Sequence, residues 1–69
     1  MIDTDQYTYR AEWSMEDLAW VATVAELPSM SWIAQTKQAA LAGLAHLVKA
    51  TVAQMAASRE PVPAPGASP

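Results

Sequence analysis

From Thr36 to Ser58 the chain has no proline and a single glycine, Gly43, while alanine is abundant and leucine recurs. Alanine and leucine favour the helix and proline breaks it, so this stretch predicts one long helix. Thr36 is placed to cap it, because a threonine hydroxyl can accept from a free N–H of the first turn. At about 100° per residue, Ala40, Leu41, Leu44, Leu47, Val48, Thr51, Val52 and Met55 gather on one side. Gln38, Ala42, His46, Lys49, Ala53 and Ala56 take the other. A single striped helix must lay its stripe on something, and the rest of the chain has to supply it.

What precedes the helix reads as a small sheet. In Tyr7–Trp13 the residues Tyr7, Tyr9, Ala11 and Trp13 alternate with Thr8, Arg10 and Glu12. Period two with one apolar face is the pattern of a half-buried strand. Ser14–Asp17 reads as a turn, and Leu18–Leu27 as a second strand. There Trp20, Ala22 and Val24 share one side, while Val21, Ala25 and Leu27 share the other with Thr23. A strand apolar on both faces calls for cover on both. Pro28 has no N–H to give to a ladder and ends the pairing. Ser31–Ala34 is a third, brief strand. The expected fold is therefore α+β: a three-stranded antiparallel sheet with one long helix packed on it, in the order β-β-β-α. Trp13 and Leu44 are expected to face each other across the two layers. Trp32 sits at the crossing from sheet to helix, where it can wedge into the core or be presented at an interface.

Residues 60–69, EPVPAPGASP, hold four of the five prolines and read as an extended, disordered Pro/Ala-rich tail. That leaves residues 1–59 as the domain. Domains of this size are marginal alone and commonly rely on disulfides, metals or oligomerisation. The chain has no cysteine and one histidine, so disulfides, thiolate metal sites and multi-histidine sites within one chain are excluded. An apolar content of 52% makes self-association the remaining route, and a homodimer or larger homo-oligomer is expected.

The net charge is −3, and Arg10, Lys37, Lys49 and Arg59 are scattered rather than clustered. Direct nucleic-acid binding is therefore not expected. No run of 18 apolar residues is present, and the N-terminal MIDTDQ is acidic and polar. These features predict no membrane association and, with the absence of cysteine, a cytoplasmic protein. His46 has no acid within helical reach, and no glycine-rich phosphate loop occurs. The acids read as solvated surface groups rather than a catalytic pair. The chain reads as a non-enzyme with no cofactor and no metal: a binding module or a self-assembling structural protein.

The order of residues adds a resemblance. Residues 7–41 carry Glu16-Asp17, then Trp20-Val21-Ala22, then Glu26-Leu27-Pro28, then Thr36, then Ala40-Leu41. In order and spacing this series resembles the HicB-like antitoxin family, which includes small stand-alone members. The resemblance implies a partial ribonuclease-H-like β-β-β-α fold and dimers or larger oligomers. It also implies a partner: a small basic HicA-type toxin that cleaves messenger RNA and is blocked by direct contact. Three departures stand out. Leu18 replaces the glycine that usually follows the acidic turn. Ala39 replaces the glutamate usual before Ala40, removing the capping-box partner of Thr36. No DNA-binding module is expected beyond the tail, so autorepression is not expected of this chain by itself. The residues expected to meet a partner are Glu12, Glu16, Asp17 and Glu26, with Trp20 and Trp32. The alternative is an orphan oligomeric HicB-like domain with a scaffold or other binding role and no toxin.

Overall fold

The computed structural model describes residues 3–66. Tyr9–Ser14 (β1), Ala19–Val24 (β2) and Ser31–Ala34 (β3) form an antiparallel sheet in the order β1-β2-β3. A 3-10 turn at Thr4–Gln6 precedes the sheet, and the helix Lys37–Ala57 (α1) follows it. The arrangement is β-β-β-α with the helix packed on one face, the α+β fold that the sequence pattern predicts.

The helix ends where its sequence says it should. The Thr36 hydroxyl accepts from Ala39 N–H at 3.1 Å, satisfying one of the free donors of the first turn. At the other end Ser58 is the cap, and Arg59 turns left-handed with φ 60°. The Glu60 N–H then reaches back to the Met55 carbonyl at 2.9 Å, and the Arg59 N–H to Ala56 at 3.2 Å. This paired closure uses carbonyls that the helix leaves free. Along α1 the buried residues are Ala40, Leu44, Val48 and Val52. They lie within the expected stripe, with Val52 at its edge, and every residue assigned to the outer side is exposed. By length and composition alone α1 is apolar enough to cross a membrane; here its stripe packs on the sheet.

Register places Tyr9 opposite Val24, Ala11 opposite Ala22, and Trp13 opposite Trp20. Across the other ladder Trp32 lies opposite Ala22, and Ala34 opposite Trp20. All these side chains share the face under α1. Small residues at Ala11 and Ala22 let the helix approach, and Ala22, Val24, Leu44 and Val48 are essentially inaccessible. Burying each of the larger ones contributes about 1.5–3 kcal/mol.

The second strand is shorter than the expected Leu18–Leu27. Leu18 belongs to the turn, with φ 50°, and Ala25–Leu27 leave the ladder. Among the described residues no helix or strand covers the opposite face of the sheet. That face is less apolar than the two-faced reading of the second strand suggests. It carries Arg10 and Glu12 in an ion pair at 2.7 Å, beside half-buried Val21 and Thr23 and exposed Ile33.

The tail departs from expectation. Residues 60–66 fold back on the domain rather than extending away from it: Val62 packs against the core, and Pro63 and Gly66 are both hydrogen-bonded to it. Residues 67–69 of the expected disordered tail lie outside the described residues.

Candidate protein-binding surface

Among the described residues, three of the five exposed large apolar side chains lie on the β1–β2 hairpin. Its loop, Met15 to Leu18, is held by Ser14 and Asp17. The Ser14 hydroxyl donates to an Asp17 carboxylate oxygen at 3.0 Å and accepts from the Asp17 N–H at 3.2 Å. This clasp fixes the loop but leaves Leu18 in left-handed backbone, a conformation costing about 1–2 kcal/mol for a residue with a Cβ. A glycine at that position would carry no such cost, so the departure noted in the sequence has a structural consequence.

Around this loop Trp13, Met15 and Leu18 are exposed large apolar residues. Trp13 is 46% exposed, which corrects its assignment to the core. It does lie on the helix-facing side of β1. However, α1 runs over β2 and β3 more than over β1, so Trp13 sits at the uncovered corner. Its ring meets Trp20 edge-on, with centroids 5.9 Å apart and planes at 73°. Its indole N–H points to the Met15 sulfur at 3.2 Å. Leu44, its expected partner across the layers, is fully buried as anticipated.

Of the four acids assigned to a partner surface, Glu12, Glu16 and Asp17 are exposed and grouped on this hairpin. Glu26 is not among them. It lies at the opposite end of the sheet and is only 4% exposed. Its carboxylate accepts from the Thr8 N–H at 2.8 Å, the Thr8 hydroxyl at 3.2 Å and the Gly66 N–H at 2.7 Å. Burial pushes this carboxyl upward, but the N–H groups of Gly66, Thr8 and Glu26 itself, with the Thr8 hydroxyl, outweigh that and hold it below the usual range. The nearby Tyr7 phenol is pushed up, first by burial and then by the Glu26 charge. Glu26 is therefore a structural anion, with its lone pairs committed inside the chain.

The two tryptophans assigned to a partner surface divide differently. Trp20 is half-buried against the core. Val24, on the same face of the sheet, is covered by the helix layer, so that face is not free. Trp32 is 41% exposed. Its inner edge lies on Gly43 so closely that a Cβ built there would overlap the indole. It is thus a wedge between the layers whose outer part reaches the surface. Met15 and Ile33, also exposed, are surface residues that reading for charge and tryptophan missed; their place at a turn and on an edge strand was the available signal. His46 stands exposed on the outer side of α1. Among the described residues, no three histidine, cysteine, aspartate or glutamate side chains are grouped as metal ligands.

No family model matches the chain, and neither a curated protein nor a solved structure matches it.

Proposed function

We propose that this chain is a non-catalytic, antitoxin-like binding module of the HicB-like kind. It would neutralise a small basic HicA-type toxin by direct contact. The observation that supports this best is the hairpin. Trp13, Met15 and Leu18 are exposed on the same hairpin as Glu16 and Asp17, with Glu12, paired with Arg10, on the other face of the sheet from Trp13. Apolar anchors next to acids suit a basic partner: the acids speed encounter and the apolar groups hold the complex. Glu26 takes no part in this surface, and Trp32 would join it only through its exposed half.

Co-expression with a HicA-type toxin tests the proposal. The wild-type chain should restore growth. Changing Glu12, Glu16 and Asp17 to lysine moves the net charge from −3 to +3, two units at each of three sites. That variant should still fold, with a small loss of stability from the Ser14–Asp17 hydrogen bond and the exposed Arg10–Glu12 pair. It should associate far more slowly with the toxin and fail to restore growth. Restoration by the variant as well would move the interface away from the hairpin.

The open sheet face favours a second reading, an orphan homo-oligomer without a toxin. Ile33 on the edge strand β3 and Val21 beside it offer apolar contact, and a short apolar edge can pair with another strand. Failure of the wild-type chain to protect against any HicA-type toxin, with a multimeric mass in light scattering, would favour that reading.

A further inference from the structure

The segment after α1 has three alternating prolines, Pro61, Pro63 and Pro65. Proline offers no N–H, and an extended proline-rich segment makes no hydrogen bonds of its own. Whatever places it must come from the residues it touches. Among the described residues beyond Glu60, three such contacts converge at one end of the sheet. Val62 packs against the core cluster. The Tyr7 hydroxyl donates to the Pro63 carbonyl. The Gly66 N–H donates to the Glu26 carboxylate at 2.7 Å.

A charged carboxylate is costly to bury unless donors surround it. Glu26 draws its donors from two segments remote in sequence: Thr8, 18 residues away, and Gly66, 40 residues away. The residue therefore joins the start of β1 to the last described turn of the chain. The segment it holds also completes a cleft. About 590 Å³ of space lies between Thr4 and Asp5 of the 3-10 turn, Lys49, Val52 and Ala56 of α1, and Val62. Val62 is the wall contributed from beyond the helix. If the segment lifted away, that wall would go with it, and the edge of the core at Val52 would open.

We infer that residues 60–66 form a hinged strap, clasped by Glu26 and Tyr7, that lays Val62 against the core and opens while the sheet and helix stay folded. The hinge is the left-handed Arg59, directly after the helix cap. The strap lies outside the ladder, and its bond to the helix is the Glu60 N–H to Met55 at the closing turn, so its opening breaks the clasp, the Val62 contact and at most that closing bond, and leaves the rest of the β-β-β-α frame in place. Segments held by so few contacts open before the frame unfolds.

Backbone relaxation by NMR on the full chain tests this. In the wild type, the Val62 and Ala64 amides should be ordered, with order parameters approaching the ~0.85 of rigid backbone. Glu26→Leu removes the acceptor for Gly66, and Gly66→Pro removes the donor together with the φ 81° turn that proline cannot adopt, while leaving Glu26 and Thr8 in place. In both variants Val62 and Ala64 should fall below about 0.6, while Leu44 and Val48 keep their wild-type values. Should Glu26→Leu fail to fold, Gly66→Pro carries the test alone, because its side chain lies outside the core. Three results would overturn the inference: a strap already flexible in the wild type, a strap that stays ordered when the Gly66 donor is removed, or a loss of order shared equally by Leu44 and Val48. Toxin protection is not the readout, so the strap stands or falls separately from the function proposed above.

Discussion

The two ends of the sheet are built on opposite terms. At one end Tyr7, Val24 and Glu26 are buried, and carboxylate, hydroxyl and backbone groups find partners in segments far apart in sequence. At the other end Trp13, Met15 and Leu18 are exposed, and the side-chain hydrogen bonds of the hairpin span two or three residues. Long-range contacts tie down the first end. Local contacts shape the second and leave its apolar surface free. The difference separates the part of the molecule that holds it together from the part available to a partner.

Substitutions can break that contrast. The largest effect is expected where α1 is pinned between the two ends. Leu44→Ala should cost about 2–5 kcal/mol in urea unfolding, because a fully buried leucine leaves a cavity. Trp13→Ala removes a larger side chain but should cost only about 1 kcal/mol, mainly its edge-on contact with Trp20. Equal costs would mean that the hairpin end is as firmly packed as the rest.

Acid probes the tied end next. The folded-state pKa of Glu26 lies below its ordinary value of 4.5. Its contribution is therefore complete above that ordinary value and is lost as the pH falls through the lower folded one. One proton is taken up, so the slope from this residue should not exceed about 1.4 kcal/mol per pH unit. Glu26→Gln should flatten that part of the profile in pH-dependent melts, and should also lower stability near neutrality. An amide cannot accept from Thr8 and Gly66 on both of its ends. An unchanged acid profile in the variant would show that Glu26 does not tie this end together.

The smallest effect belongs to the exposed hairpin, and it is a gain. Leu18→Gly should relieve the left-handed strain and raise stability by about 0.5–1 kcal/mol, net of the flexibility that glycine adds to the unfolded chain. A thermal melt measures this. A loss instead would mean that the Leu18 side chain packs at the turn despite its exposure.

How far these features can be read from the sequence depends on the range of the interactions that set them. The helix ends, its stripe and the strand Ser31–Ala34 follow from propensity, capping and period, which act over a few residues. Glu26 does not, because nothing near it in sequence announces donors at Thr8 and Gly66; alternation along the strand gives a side but not what waits there. Trp13 has the right face and the wrong burial, since period two does not say how far α1 is offset toward β3. The docking of residues 60–66 escapes prediction for a related reason: a proline-rich segment has no pattern of its own, and its anchors lie elsewhere. Within the candidate surface, Glu12, Glu16 and Asp17 are legible because turns and polar strand faces are solvated by default. The apolar half of that surface is not, because exposed and buried tryptophans look alike in a sequence.

The seat of Trp32 on Gly43 has a consequence for how this chain can change over generations. The indole occupies the space that any side chain at position 43 would need, so the two positions behave as one mutational unit. A larger residue at 43 is admissible only with a smaller one at 32, or with the helix displaced as a rigid body, and the effects of the two changes will not add. Substituting Trp32 alone would leave a notch beside a bare stretch of helix backbone. Gly43 lowers helix propensity by about 1 kcal/mol relative to alanine, a handicap that persists while the tryptophan beside it persists. Change at Gly43 is therefore conditional on Trp32, and lineages that lose the glycine should be found to have already lost the tryptophan.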